Sequence, residues 1–136
     1  MVITPFSGGC ACGAIRYECS AEPLVMLNCH CRDCQRATGG AFSAVVYMSA
    51  NAFKLTKGLL GHYLTPSMAG GYNKRGFCPE CGSPISGAES AKGIGIDAAS
   101  LDDPSWFRAQ MDLFTSDAQP WDLMDPKLPR FPFYSQ

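Results

Sequence analysis

Long apolar runs and an excess of charge of one sign are both missing from this sequence of 136 residues. The longest apolar stretch, around Ala41 to Met48, is far shorter than the ~18 residues that a membrane-spanning helix needs. The first residues contain neither the basic nor the apolar segment of a secretory signal peptide. Eleven basic residues stand against twelve acidic ones, so no bulk charge attracts nucleic acid or a membrane surface. We therefore expect a cytoplasmic protein.

Internal repeats, low-complexity segments and interdomain linkers are missing as well. Hydrophobic residues make up 46% of the chain and charged residues 17%, an ordinary globular balance that excludes disorder. A chain of this length fits one hydrophobic core. The sequence therefore predicts a single domain over residues 1–136.

Helical periodicity is scarce, and the 14 glycines and 10 prolines predict many short elements joined by turns. Alternating and β-branched segments predict strands at 14–18, 25–27, 42–48, 94–96 and 110–114, and a hairpin formed by 53–55 and 62–64. One short helix is predicted at 33–38, ended by Gly39 and Gly40. Residues 66–71 are predicted to form a loop, and the proline-rich tail from Pro120 an extended strap.

Cysteine is abundant, with eight residues in the chain. All but Cys19 fall into three clusters, which read Cys10-Ala11-Cys12, Cys29-His30-Cys31-Arg32-Asp33-Cys34 and Cys78-Pro79-Glu80-Cys81. In a reducing compartment such clusters indicate metal or redox chemistry rather than a disulfide framework. Cys19 stands alone in a strand pattern, and we expect it to be a small buried hydrophobic residue.

Two of the cysteine pairs are each followed at once by a glycine, Gly13 or Gly82. A Cys-x2-Cys-Gly turn directs two thiolates at one ion, because glycine permits the tight turn behind them. The first pair, with one residue between its cysteines, has the same glycine. The sequence therefore predicts a closed four-thiolate zinc site, and its ligands are Cys10, Cys12, Cys78 and Cys81.

The middle cluster has three thiols, Cys29, Cys31 and Cys34, and no obvious fourth ligand. A zinc ion with three protein ligands keeps one position open for water or substrate, which is typical of catalytic sites. His30 could serve as a fourth ligand, but between two ligating neighbours in an extended run it is expected to point to the other side. The cluster could also bind an iron–sulfur centre, although such centres usually need four cysteines, or it could stay metal-free and oxidise easily.

These motifs resemble the glutathione-dependent formaldehyde-activating enzyme family. The resemblance lies in residues 8–17 (Gly-Gly-Cys-Ala-Cys-Gly-Ala-Ile-Arg-Tyr), 29–39 (Cys-His-Cys-Arg-Asp-Cys-Gln-Arg-Ala-Thr-Gly), 75–83 (Arg-Gly-Phe-Cys-Pro-Glu-Cys-Gly-Ser) and the late Pro120-Trp121. It implies a mainly β fold of twisted, mostly antiparallel sheets in a tent-like arrangement, with little helix and two zinc ions per chain. It also implies that Cys10, Cys12, Cys78 and Cys81 hold the structural ion and that Cys29, Cys31 and Cys34 form the reactive site.

The activity that the resemblance implies is a carbon–sulfur lyase reaction, which joins glutathione to formaldehyde as S-hydroxymethylglutathione. The partners are then a small thiol and a small carbonyl compound, with neither nucleic acid nor a membrane. Relatives commonly carry a histidine and a lysine before Pro120-Trp121, where this chain has Asp112 and Asp117. Two different functions stay open beside the lyase: a non-catalytic zinc module that binds a protein, and a redox or metal-buffering protein.

Glutathione carries two carboxylates, which need cationic or N–H partners. Four basic residues near the cysteine clusters are candidates, and each is equally well a solvated surface charge. They are Arg32, Arg36, Lys74 and Arg75. Arg32 is favoured because it lies between two cysteines of the reactive cluster, with Arg36 one helical turn later.

Overall fold

Short strands dominate the computed structural model, which describes residues 2–134. The strands are β1 (Phe6–Gly9), β2 (Arg16–Cys19), β3 (Val25–Cys29), β4 (Ser43–Ser49), β5 (Phe53–Lys57), β6 (Gly61–Pro66), β7 (Tyr72–Phe77), β8 (Pro84–Gly87), β9 (Gly93–Asp97) and β10 (Asp112–Leu113). One α-helix, α1 (Arg32–Thr38), and four single 3₁₀ turns complete the regular structure of these residues. None of their helices is long and apolar enough to cross a membrane. The predicted mainly β class with little helix is confirmed.

The strands form two sheets. The small sheet has the order β1-β2-β5, and the large sheet has the order β10-β3-β4-β9-β8-β7-β6. Every strand pair is antiparallel except β10 with β3. The predicted antiparallel arrangement is therefore confirmed, with one short parallel strand added at an edge.

The two faces of the large sheet have different roles. Successive side chains of a strand point to opposite faces, and in β4 Val46 and Met48 are buried in the main core whereas Val45 and Tyr47 line a cavity. The small sheet packs on the core face, to which it contributes Tyr17 and other apolar residues. The opposite face of the large sheet is thus left to build a site.

The strand predictions succeed where the apolar alternation is strong. Strands over 16–19, 25–29, 43–49 and 93–97 cover four of the predicted segments, while the predicted strand at 110–114 shrinks to Asp112–Leu113. The prediction of a hairpin between 53–55 and 62–64 is wrong. β5 pairs with β2 in the small sheet and β6 pairs with β7 in the large one, so the chain crosses between sheets at residues 58–60. Both segments have strand propensity, but their partners are set by tertiary packing.

The predicted helix is present and its ends are those that the sequence suggests. Cys31 is its N-cap, and the Cys31 sulfur accepts a hydrogen bond from the Cys34 N–H at 3.3 Å. Gly39 ends the helix with φ of 75°, in the left-handed region that favours glycine. The tail runs beside β10, where Asp112 N–H donates to Pro129 and Phe131 N–H donates to Asp112. The tail therefore holds the edge of the large sheet in place.

Candidate metal centres and the adjoining cavity

Four thiols from two distant turns meet in the first cluster. Cys10 and Cys12 follow β1, and Cys78 and Cys81 follow β7. Their sulfur atoms all lie within 4.8 Å of one another, and Cys12 Sγ is 3.7 Å from Cys10 Sγ and 3.8 Å from Cys78 Sγ. Tetrahedral zinc with Zn–S distances of about 2.3 Å needs sulfur atoms about 3.8 Å apart. The four thiols therefore have the spacing of a closed tetrahedral metal site.

Backbone geometry and hydrogen bonds prepare these sulfurs for an ion. Gly13 and Gly82 have φ of 82° and 80°, so the turn after each pair needs the freedom of glycine. Burial alone would raise the pKa of Cys10, but the Ile15 N–H donates to Cys10 Sγ at 3.2 Å and, together with neighbouring thiols, lowers it. Hydrogen bonds from Ser83 lower the pKa of Cys81 to about 5. Both effects favour the thiolate form that a metal binds at Cys10 and Cys81. At Cys12 a backbone hydrogen bond from Ala14 is outweighed by burial and the neighbouring thiols, which raise the pKa to about 11.

The second cluster is built from the end of a strand and the beginning of a helix. Cys29 is the last residue of β3, Cys31 caps α1, and Cys34 lies in the first turn of α1. The three sulfurs lie within 4.8 Å of one another. Within residues 2–134, no further histidine, cysteine, aspartate or glutamate offers a ligand atom within that distance of all three. The group can hold a metal ion through three thiolates and leave one position open.

The thiols of the second cluster interact strongly. Hydrogen bonds from Cys29 and Cys34 lower the pKa of Cys31, and the interaction with Cys31 raises the pKa of Cys29. Without an ion, further deprotonation is opposed by the charge already present, so a divalent cation is the natural partner of the full thiolate set.

Arg75 supplies a cation next to this cluster. Its side chain is buried, and Nη2 donates to Cys34 Sγ at 3.4 Å. Burial disfavours the charge, but Cys34 and Cys31 outweigh this effect and hold the pKa of the guanidinium above its ordinary value. Arg75 Nε finds no hydrogen-bond partner within residues 2–134. The sequence suggests Arg75 only as one of four basic candidates, because β7 lacks the apolar alternation that would have predicted a strand.

His30 points away from the three sulfurs, as expected. Its Nδ1 is 2.5 Å from Asp122 Oδ2 and its Nε2 is 2.8 Å from Asp112 Oδ1, and all three side chains are almost fully buried. Both ring nitrogens are therefore engaged behind the cluster, and no fourth ligand comes from His30. Asp112 thus supplies one of the two carboxylates that pair with this ring. Asp117 contributes its backbone carbonyl to Gln35 instead.

We expect Asp122→Asn to lower the free energy of unfolding by about 3 kcal/mol, because the buried ring loses an anionic partner and the tail loses an anchor. The measurement is urea denaturation followed by circular dichroism. Asp125→Asn is the matched control, since Asp125 lies in the same tail but is exposed. Equal stability of the two variants would show that the pairing of Asp122 with His30 contributes nothing to the free energy of unfolding.

A cavity of about 580 Å³ opens beside the second cluster. All three cysteines of the cluster form part of its wall, and β3, β4, β7, β8 and β9 contribute most of the rest of the large-sheet face. Arg32 and Arg75 line this cavity, while Arg36 and Lys74 are not among its lining residues. Arg36 is exposed, and Lys74 lies 3.8 Å from Glu89. Of the four basic candidates, the fold therefore brings two to the cavity.

Comparison with known proteins identifies the group to which this arrangement belongs. The family model of the glutathione-dependent formaldehyde-activating enzyme matches residues 5–117, a range that contains both thiol clusters. The chain belongs to this family.

A crystal structure of a Rhodobacter sphaeroides protein has a similar fold, with a TM-score of 0.59 and 21% sequence identity over 91% of this chain and 98% of that one. At this identity the similarity shows the fold alone. A search of curated proteins finds no match. The formaldehyde-activating family thus gives the general chemistry, and the details of this member depend on its own side chains.

Proposed function

We propose that this member of the formaldehyde-activating family is a zinc-dependent carbon–sulfur lyase. It joins a small thiol such as glutathione to a small carbonyl compound such as formaldehyde, or cleaves the adduct. One observation supports the proposal: three thiols converge at the wall of a cavity large enough for substrates, and the part of the chain that the structure describes offers them no fourth ligand. Cys10, Cys12, Cys78 and Cys81 hold a structural zinc, and Cys29, Cys31 and Cys34 hold a catalytic one.

The donor sets fit zinc. Thiolates are soft ligands that favour zinc over magnesium or calcium, and four thiolates at tetrahedral spacing suit a closed structural ion. When bound at the three-thiol cluster, zinc would keep a thiol deprotonated near neutral pH and polarise a carbonyl oxygen. Three thiolates donate much charge, which suits a soft sulfur substrate better than amide hydrolysis.

The protein side chains then orient and shield the reactants. Cys29, Cys31 and Cys34 fix where the thiol sulfur binds, and Arg75 offsets the negative charge of the thiolate set. Arg32, at the exposed rim of the cavity, is a candidate contact for a substrate carboxylate. Arg36 is a second candidate only for a substrate that extends outside the cavity, since it lies one turn along the exposed side of α1.

Metal release is expected to have two phases. A chelator such as EDTA should remove one zinc equivalent rapidly from the three-thiolate site and the other slowly from the four-thiolate site, because the latter has one more protein ligand. The measurement is zinc release followed with a chromogenic indicator on anaerobically reduced protein. A single phase with one equivalent would leave the second cluster as a redox group and remove the lyase proposal.

The reaction itself is tested by exchange spectroscopy, because thiols also add to formaldehyde without a catalyst. We expect the zinc-loaded protein to speed exchange between free formaldehyde hydrate and S-hydroxymethylglutathione at equilibrium, measured by ¹³C NMR with labelled formaldehyde. Protein treated with EDTA is the control. An exchange rate equal to that of buffer, with two zinc ions bound, would contradict the lyase activity while leaving the metal sites intact.

Arg75→Met is expected to weaken zinc binding at the three-thiolate cluster by ~10-fold or more. A hydrogen bond to a charged group contributes about 1.5–3 kcal/mol, and the substitution removes one from Cys34. Competition with a chelator of known affinity measures the change. Lys74→Met is the matched control, because Lys74 is the neighbouring residue of β7 and does not line the cavity. Equal zinc affinities for the two variants would show that Arg75 does not stabilise zinc at the three-thiolate cluster.

A further inference from the structure

The wall of the cavity is mainly apolar. Its large-sheet face presents alternate side chains of β3 and β4, and the roof adds residues from the turn after β6 and from the tail. Its apolar side chains include Leu27, Val45, Tyr47, Met68, Phe114 and Tyr134. A buried apolar cavity of 150 Å³ already takes up benzene, whereas this one measures about 580 Å³. Formaldehyde, with two heavy atoms, would make almost no contact with these apolar side chains, whether or not the thiol is bound.

Two glycines form the floor of the cavity, which is the part of its wall on β8 and β9. Gly87 of β8 lies opposite Gly95 of β9 in the antiparallel ladder, and both line the cavity. A Cβ atom at Gly95 would lie only 2.9 Å from Val45 Cγ1 on β4. The strands β4 and β9 are therefore closely packed at this glycine. A Cβ atom at Gly87 would meet Arg75 Nη1 at 3.6 Å, an ordinary contact. A methyl group at Gly87 would therefore fit while taking up space in the cavity, whereas one at Gly95 would collide with Val45.

The charged residues of the cavity wall do not favour a carbonyl substrate with several negative charges. Arg32 and Arg75 are the cations of the wall, and Arg75 already donates to Cys34. Asp33, Asp97 and Asp117 line the same space. Burial raises the pKa of Asp97, against the opposing effects of Ser43 and Arg75. A carbonyl substrate that carries carboxylates would meet more acidic groups than unused basic ones here.

The roof is held against the cavity by aromatic packing. Phe114 has φ of 56°, a strained value for a non-glycine residue, and its ring packs edge-on against Tyr134 with centroids 4.8 Å apart. The Tyr134 hydroxyl lies 3.3 Å from Ser67 Oγ in the turn after β6. The strained backbone thus places an apolar ring over the space beside the three thiols.

We propose that the carbonyl substrate of this site is an alkyl or aromatic aldehyde with an uncharged hydrocarbon body, which packs against Leu27, Val45 and Phe114. This substrate class rests on the proposed lyase function. In the reaction a thiol adds across the C=O bond: the carbon–sulfur bond forms, the thiol S–H bond breaks, and the proton passes to the carbonyl oxygen to give a thiohemiacetal. No oxidant or reductant is required, and cleavage runs through the same atoms in reverse.

Binding is tested with an unreactive probe, 1-octanol, added to the zinc-loaded protein and measured by isothermal titration calorimetry. We expect 1-octanol to bind at least 10-fold more tightly than methanol, which has the size of formaldehyde. Leu27→Asn should weaken 1-octanol binding at least 5-fold, because it places an amide in the apolar wall. Leu24→Asn is the matched control, since Leu24 is exposed and lies outside the cavity wall. Equal binding of methanol and 1-octanol, or equal binding of 1-octanol by both variants, would overturn the proposed substrate class.

A second variant tests the cavity in case Leu27→Asn does not fold. Gly87→Ala fills part of the floor with one methyl group and should weaken 1-octanol binding 3-fold or more, whereas Gly40→Ala, outside the cavity wall, should leave it unchanged. Exchange spectroscopy with octanal and a small thiol then separates the two proposals. Octanol binding without catalysed exchange supports the apolar site and contradicts the lyase, and exchange with formaldehyde and glutathione but not with octanal does the reverse.

Discussion

Cys78→Ala is expected to leave the protein unfolded at 25 °C. Cys78 is completely buried, and its sulfur belongs to the cluster that ties the turn after β1 to the turn after β7. Structural zinc in small proteins contributes about 10–16 kcal/mol at pH 7, and the whole stability of a small domain is about 5–15 kcal/mol. Loss of one of four ligands from the proposed zinc site weakens that contribution, and the substitution also leaves an empty space in the core, to which Cys78 belongs.

The measurement is far-ultraviolet circular dichroism with zinc analysis on the same sample. Cys19→Ala is the matched control, because Cys19 is equally buried but lies outside both thiol clusters. We expect that control to stay folded with two zinc ions and to lose only about 1 kcal/mol, the usual effect of a moderate substitution. A folded Cys78→Ala variant with the same stability as Cys19→Ala would show that the four-thiol cluster does not hold the fold together.

The cysteine motifs could be recognised from the sequence because the spacing within each is local, although the first cluster joins two motifs whose Cys12 and Cys78 are 66 residues apart. Two cysteines separated by one or two residues and followed by glycine have to turn towards the same point, and Gly13 and Gly82 do adopt the positive φ that this requires. The side on which His30 lies also follows from local geometry, since neighbouring side chains of an extended segment point in opposite directions. Such inferences do not require the order of the strands in the sheets to be known.

The cavity could not be predicted in the same way, because it depends on which strands become neighbours. β7 reads Tyr-Asn-Lys-Arg-Gly-Phe, without apolar alternation, yet it places Arg75 in contact with Cys34. The partners of His30 come from 82 and 92 residues further along the chain. The error over β5 and β6 has the same origin, since each segment has strand propensity but nothing local determines its sheet.

Cys31→Ser is expected to separate function from folding at the second cluster. Serine is a good helix N-cap, so its hydroxyl can accept the hydrogen bond that Cys34 N–H now donates to the Cys31 sulfur. The helix should therefore keep its first turn. The soft thiolate, however, is lost, and two remaining thiolates are too few to hold the proposed zinc with one open position.

We expect the Cys31→Ser protein to retain one zinc ion instead of two and to lose catalysed exchange by about 1000-fold, which corresponds to about 4 kcal/mol of transition-state stabilisation. Its melting temperature should change by only a few degrees, because the four-thiolate site is untouched. Zinc analysis, exchange spectroscopy and thermal melting are measured on one preparation, with Cys19→Ala as the control that keeps both ions. Retention of two zinc ions with full exchange activity would place the reaction elsewhere. A folded variant that loses one ion and the exchange together would connect the open three-thiol cluster to the chemistry, because no other change in the chain accounts for both losses.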